Sequence, residues 1–187
     1  MGVVAAREAM YSAISTDSLE EIEAALEKHP ELLNEPLTED KKSNALMRAA
    51  YLGNLRIVHW LVEKGADPNW TNEEGMDPAK WAAARGHTQV CQFLFQNGYT
   101  VTEGLNALDY GVLHGFYPTV HYLATVGLRP TKSVWEYIEM RPQNEAGIRS
   151  TLQSLAGGTL PAEHEAMFAC APVPSSVDTT LEVFDLD

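Results

Sequence analysis

The chain has 187 residues, of which 45% are hydrophobic, and its formal net charge is −13. This length fits one domain with a shorter segment beside it, and the composition suffices for an ordinary hydrophobic core. The acidic balance argues against nucleic-acid binding, which depends on neutralising phosphates. No apolar run approaches the ~20 residues that cross a membrane, so we expect no membrane association.

The first stretch, residues 8–34, reads as two short helices, EAMYSAIS and LEEIEAALEKH, joined by a turn at Asp17-Ser18. Apolar side chains recur at helical spacing in the second helix, and its glutamates lie on the opposite side. We interpret the glutamates as a solvated outer face rather than as a binding surface. The next stretch, PELLNEPLTEDKKS, is predicted to be a loop.

The clearest pattern begins at Asn44, which is a good helix N-cap because its side chain can accept a bond from a free backbone N–H. Gly53 ends the first helix, and Gly65 ends the second helix, LRIVHWLVEK. The same cap, turn glycine and closing glycine recur with a period of 33 and then 29 residues, at Asp77, Gly86 and Gly98 and at Asn106, Gly115 and Gly127.

A helix–turn–helix period of 33 residues is typical of ankyrin repeats, and LVEKGADPN and AAARGHTQVCQFLFQNG resemble the sequence of that family. The resemblance implies an all-α ankyrin-repeat solenoid over residues 1–157. Its repeats would lie near 8–34, 44–69, 77–101 and 106–130, with a degenerate capping repeat at 133–157. Residues 158–187, which hold six acidic residues and no basic one, would form an extended acidic C-terminal tail.

The alignment also predicts the core. We expect burial between stacked helices of Leu46, Ala49, Leu55, Val58, Leu61, Ala82, Val90, Phe93, Leu94, Leu108, Val120 and Leu123. Trp60, Trp81 and Trp135 are also predicted to be core, because each lies inside a helix. The missing four residues of the 29-residue period predict a short connection at 99–105, whereas 66–76 should form a longer projecting loop.

The family tetrapeptide TPLH is altered here. Its histidine is replaced in all three repeats, by Met47, Lys80 and Asp109. We expect this replacement to weaken the hydrogen bonding between neighbouring repeats.

In ankyrin arrays the concave face is built from loop tips and from residues just before the turn glycine. Carried over by position, and with Trp70 added as the tryptophan that we expect to be partly exposed, the predicted partner-binding residues of the repeats are Tyr51, Leu52, Trp70, Glu73, Glu74, Met76, Arg85, Leu105, Leu113 and His114. Tyr51, Leu52 and Met76 would act as exposed anchors. The alternative is that Tyr51 or Leu113 folds into the stack.

The sequence offers little chemistry. It contains no GxSxG, P-loop, HExxH or GxGxxG motif. Cys91 reads as a buried thiol, and Asp109 and His114 are five residues apart on one helix, so they point in different directions. We therefore expect no enzymatic activity and no cofactor or metal. Only two cysteines occur, which favours the cytoplasm or another reducing intracellular compartment.

The predicted function is to bind a protein partner, as an adaptor or scaffold. One alternative is a permanent structural subunit of a large assembly. Another is modification: Asn69, eight residues after Leu61, resembles the asparagine that is hydroxylated in many ankyrin proteins.

The acidic tail ends in TTLEVFDLD. We expect this segment to bind a partner through Leu181, Val183, Phe184 and Leu186. Docking on the chain's own surface is the alternative. It is disfavoured in sequence because the bases Arg85, Lys80, Arg129 and Lys132 are scattered.

Overall fold

A computed structural model describes residues 3–38, 43–101, 104–140 and 146–155. In these ranges the regular secondary structure is helical. The helices are α1 Val3–Ser15, α2 Leu19–Lys28, α3 Ala45–Leu52, α4 Leu55–Glu63, α5 Pro78–Ala84, α6 Thr88–Gln96, α7 Ala107–Leu113, α8 Tyr117–Thr125, α9 Lys132–Met140 and α10 Ala146–Leu155, with a 3₁₀ helix at Pro30–Leu33. No helix of the described part is long and apolar enough to cross a membrane.

The helices form two layers. In one layer α1, α3, α5 and α7 pack side by side, and α9 continues it by packing against α7. In the other, α4, α6 and α8 follow one another, and α10 packs against α8. Each of the first four units is a helix pair whose two members contact each other. The predicted all-α solenoid is confirmed.

The predicted N-caps explain where the first helices begin. Asn44 Oδ1 accepts a bond from Met47 N at 2.9 Å, and Asp77 Oδ1 accepts one from Lys80 N at 2.8 Å. Asn106 forms a full capping box with Asp109. All these side chains are buried, so their bonds satisfy backbone N–H groups that water cannot reach.

The core lies between the two layers. Every core position predicted from the repeat is buried except Leu55 and Phe93, which are partly exposed and pack against the core. Trp135 is buried, as predicted, but Trp60 and Trp81 are only half-buried. A tryptophan inside a short amphipathic helix can lie at its edge, where only part of its large ring is covered.

The loops differ from expectation in two places. The first helix begins at Val3, five residues before the predicted start, and the predicted loop contains the 3₁₀ helix at Pro30–Leu33. Fourteen residues connect α4 to α5, whereas ten connect α6 to α7, which agrees with the four missing residues. Residues 102–103 lie outside the described ranges, so the form of the 99–105 connection stays a prediction.

The expectation of weakened bonding at the histidine positions is wrong for Asp109. Asp109 Oδ1 accepts a bond from Thr131 N at 2.8 Å, and Oδ2 accepts one from Asn106 N at 2.9 Å. Thr131 immediately precedes α9, so the carboxylate ties the fourth repeat to the fifth. Lys80 keeps its bonds within its own repeat, donating from Nζ to the Gly75 carbonyl at 2.7 Å.

Candidate functional site

Five side chains from three neighbouring helices form a continuous row, which we call the Arg–aromatic row. It consists of Tyr11 on α1, Arg48 and Tyr51 on α3, and Trp81 and Arg85, at the end of α5. The Arg48 guanidinium carbon lies 4.3 Å from the centre of the Tyr11 ring and 5.7 Å from that of Tyr51. The row therefore joins the first helices of three repeats.

The second half of the row is built on Tyr51. Its ring meets Trp81 edge to face with the centres 5.3 Å apart, and the Arg85 guanidinium carbon lies 4.9 Å from the Tyr51 ring centre. Both are favourable arrangements of aromatic rings and cations. Tyr51 thus has two cations close to its ring, and the row is held in place by its own contacts.

A cleft of about 290 Å³ opens beside the row, lined by Tyr11, Thr38, Ser43, Met47, Arg48, Tyr51 and Trp81. A second cavity of about 280 Å³ shares Tyr11 and Thr38 with it and is lined further by Val4, Arg7, Glu8 and Leu37. Because they share these two residues, we treat the two cavities as one groove along the first-helix layer, whose walls are apolar, aromatic and charged, with Glu8 as the acidic lining residue. We call it the first-helix groove.

The two cations of the row lack acidic partners in the described part of the chain. Arg48 donates to Ser15 Oγ at 3.1 Å, and the contact of the Arg85 guanidinium within the described ranges is with the Tyr51 ring. In contrast, Arg7 pairs with Glu35 at 2.9 Å and Arg56 with Asp17 at 2.8 Å. On a chain of net charge −13, Arg48 in the groove wall and Arg85 beside it, across Tyr51, are two positive charges that form no ion pair with a described carboxylate.

The structure brings some of the predicted contact residues to this face. Tyr51 and Arg85 belong to the row, and Leu52 and Leu113 are 37% and 38% exposed. Thus Leu113 does not fold into the stack. Of the remaining repeat residues, Glu73, Glu74 and His114 are exposed, whereas Trp70 and Leu105 are half-buried.

The prediction that Met76 is an exposed anchor is wrong, because its side chain is only 6% exposed. Met76 N donates to Asn72 Oδ1 at 2.9 Å, and the Met76 carbonyl accepts from Asn72 N at 3.0 Å. These two bonds close the loop before α5. Closing the loop places Met76 against the buried cap Asp77 instead of at the loop tip.

Lys80 is also not the available base that the sequence indicated. It is 3% exposed, and its Nζ lies 3.6 Å from Asp77 Oδ2. The lysine therefore compensates a buried carboxylate and offers no charge to a partner.

Sequence reasoning missed Tyr11, Arg48 and Trp81. The sequence did indicate the pairs within each helix. Arg48 is three residues before Tyr51, and Trp81 is four residues before Arg85, and side chains at these spacings are neighbours on a helix. What the sequence did not show is the approach of α1, α3 and α5, which joins these pairs into one row.

The proposed modification residue Asn69 has a structural role. Its Nδ2 donates to the Gly98 carbonyl at 2.9 Å, and its Oδ1 accepts from Thr100 N at 2.7 Å and from Thr100 Oγ1 at 3.0 Å. Asn34 makes the same kind of link one repeat earlier, to Gly65 and Asp67. Each asparagine therefore ties its loop to the next repeat.

The titratable side chains considered for catalysis from the sequence differ in their burial. Burial raises the pKa of the Cys91 thiol to about 12, so the thiolate form is disfavoured. Asp109 is buried in its capping box, whereas His114 is exposed. Within the described ranges no group of three or more His, Cys, Asp or Glu side chains could hold a metal ion.

The predicted tail contacts lie outside the described residues: Leu181, Val183, Phe184 and Leu186. They stay predictions.

Comparison with known proteins agrees with the repeat geometry. The family described as "Ankyrin repeats (3 copies)" matches residues 4–72 and 46–133. Mouse ankyrin repeat domain-containing protein 40 is 41% identical over 63 residues, which are 33% of this chain and 17% of that protein. Human ankyrin repeat domain-containing protein 63 is 32% identical over 87 residues, 42% of this chain and 23% of that protein.

The matches thus cover under a quarter of the length of these relatives, and they concern the repeats. The family match spans most of the described helices, and the caps, turn glycines and two-layer stacking follow the same pattern. Ankyrin repeats generally serve as protein–protein interaction modules and are typically non-enzymatic. The chain belongs to the ankyrin-repeat family.

Proposed function

We propose that this protein binds a protein partner through the concave face of its repeats, with the Arg–aromatic row at the centre of the contact. The observation that carries the proposal is the row itself. It crosses three repeats, and Arg48, Tyr51 and Trp81 are each half-buried beside the groove. Preformed side chains lose less freedom when a partner covers them.

The composition of the row supports a protein partner. Tyrosine, tryptophan and arginine are the residues that most often dominate the binding energy of protein interfaces. Leu52 adds an exposed apolar side chain next to Tyr51. The surrounding rim is polar, with Ser43 and Thr38 along the cleft. An apolar centre with a polar rim is the ordinary plan of such interfaces.

A reversible adaptor fits this surface better than a permanent subunit. Permanent interfaces are large and strongly hydrophobic. In the described part of the chain, the exposed large apolar side chains are few: Val3, Val4, Leu52, Leu113, Tyr117 and Met140. We also place the protein in a reducing compartment, which rests on the sparse cysteines and on the buried Cys91.

Site-specific photo-crosslinking tests the proposed face. A photoreactive amino acid is introduced at Leu52 or Leu113, and matched controls carry it at the exposed outer-layer residues His59 and Gln89. We expect one partner to be crosslinked from the first two positions and lost when Tyr51→Ala is added. Equal crosslinking from the outer-layer positions would contradict the proposal.

Hydroxylation of Asn69 is a second, separate proposal. Asn69 is half-buried at the repeat edge, and its side chain must leave the Gly98 and Thr100 bonds before an enzyme could reach it. Mass spectrometry of the natural protein tests it, with the peptide containing Asn97 as the internal control. An unmodified Asn69 in that protein would rule the modification out there.

A further inference from the structure

The acidic segment at 179–187 has a matching surface on the chain itself. Its sequence, TTLEVFDLD, combines three acidic residues with four large apolar ones and has no basic residue. Such a segment needs a surface that offers both apolar area and positive charge. In sequence the basic residues are scattered, but in the folded repeats Arg48 and Arg85 lie 5.7 Å and 4.9 Å from the centre of one tyrosine ring.

The two arginines at the first-helix groove differ from the other described arginines in what their guanidinium groups contact. Arg7 and Arg56 are paired with carboxylates, and Arg129 and Arg149 donate to backbone carbonyls. Arg48 and Arg85 alone, among the described arginines, keep a guanidinium free of both kinds of acceptor. The half-buried aromatic side chains of Tyr11 and Trp81 adjoin them. Carboxylates next to apolar side chains suit such a site.

The chain is long enough to reach the groove. Helix α10 ends at Leu155, which leaves 23 residues before the segment begins. At ~3.3 Å per residue these could span about 75 Å. The groove lies two to four repeats from α10, and packed helices are ~10 Å apart, so the required distance is only about 20–40 Å. A tethered segment at this range has an effective concentration on the order of millimolar.

We propose that residues 179–187 bind in the chain's own first-helix groove, with their carboxylates at Arg48 and Arg85 and their apolar side chains against Tyr11 and Trp81. The segment then covers the face that the proposed function assigns to a partner. A partner must displace the segment before it can bind. The segment therefore lowers the apparent affinity of this face for every partner, and weakly binding partners are excluded. This inference goes beyond partner binding, and testing it requires no partner.

Hydrogen exchange of the full chain tests the docking. In the wild type we expect the amides of 179–187 to exchange at least roughly fivefold more slowly than in the variant Glu182→Gln/Asp185→Asn/Asp187→Asn. These substitutions leave the repeats untouched. The Arg48→Gln/Arg85→Gln variant should show the same loss of protection, and its helical content is checked by circular dichroism. High salt should also reduce the protection, because it screens the ion pairs.

The control variant Lys28→Gln/Lys132→Gln removes the same charge from exposed positions elsewhere and should keep the protection. Three results would overturn the proposal. One is wild-type exchange as fast as in the neutralised segment. Another is protection that survives Arg48→Gln/Arg85→Gln. The third is protection that increases with protein concentration, which would mean binding to a second copy. If hydrogen exchange shows no docking of the segment, the proposed binding of a partner to the concave face still stands or falls by the crosslinking test.

Discussion

His87 Nε2 lies 3.0 Å from the carbonyl oxygen of Tyr51, and the imidazole ring stands over Gly53 of the previous repeat. The accepting carbonyl requires that Nε2 carries the proton. In the next repeat the ring of Phe116 stands over Gly86 in the same way. The residue after each turn glycine therefore packs on the turn glycine of the repeat before it, which links Tyr51 of the row to the stacking of the turns.

This stacking predicts that two turn glycines with the same backbone conformation differ in their tolerance of a side chain. Gly86 and Gly115 have φ of +77° and +76°. A Cβ at Gly86 would overlap the Phe116 ring, whereas no atom of the described residues lies within 4 Å of one at Gly115. We expect Gly115→Ala to cost only the left-handed strain, ~1–2 kcal/mol. Gly86→Ala should cost about 1–3 kcal/mol more.

Urea unfolding of the two variants, followed by circular dichroism, gives both free energies. The comparison removes the backbone contribution because the dihedral angles are nearly equal. Equal losses would mean that Phe116 moves aside freely, so that the turn-to-turn contact contributes little to the stack.

Leu61 tests the core between the layers. Its side chain is fully buried in the core cluster on α4. We expect Leu61→Ala to reduce the free energy of unfolding by about 2–5 kcal/mol, from lost burial and the cavity left behind. Met140→Ala is the control, because Met140 is exposed and should change stability by less than ~0.5 kcal/mol. A loss at Leu61 no larger than at Met140 would show that the helix register is wrong.

The repeat could be predicted from sequence because its caps and turns depend on local chemistry. Asn44, Asp77 and Asn106 cap helices through bonds within four residues, so their spacing alone indicates the helix starts. The Arg–aromatic row could not be predicted in this way. It depends on how closely α1, α3 and α5 approach, and that distance is set by packing across repeats.

The burial of Met76 and Lys80 was missed for a related reason. Met76 is covered because Asn72 closes the loop upon it, and Lys80 because its charge is used by Asp77 and the Gly75 carbonyl. In both cases a polar contact with a nearby residue decides whether the side chain is exposed. The spacing of hydrophobic residues in the sequence does not predict such contacts.

Asn69 should contribute to stability through its three bonds to Gly98 and Thr100. We expect Asn69→Ala to cost about 1–3 kcal/mol, since it removes the link between two repeats. Asn97→Ala is the matched control, because the Asn97 side chain is exposed and, among the described residues, donates to the Phe93 carbonyl of its own helix and to no other repeat. Thermal or urea unfolding measures both. A smaller loss at Asn69 than at Asn97 would contradict the role of Asn69 as a tie between repeats.

Asp109 predicts a pH dependence of stability with a definite sign. Burial raises the pKa of its carboxyl, and bonds from Asn106 N and Thr131 N oppose that shift only in part. With a folded pKa above the unfolded one, the folded chain binds more protons in the window between them. The free energy of unfolding contributed by Asp109 therefore falls as pH rises through that window, upward from the unfolded value of about 3.9.

The other carboxylates titrate in the same range, so the wild type is compared with Asp109→Asn. The variant accepts only one of the two backbone bonds, and its amide does not titrate, so position 109 contributes no pH dependence to the variant. We expect the wild type, measured relative to the variant by urea unfolding, to lose stability as pH rises from the unfolded value of about 3.9 through the raised folded pKa, and then to level off. A difference that stays constant with pH would show that the Asp109 pKa is unshifted. A difference that grows in favour of the wild type would show that the two backbone N–H bonds outweigh burial and lower it.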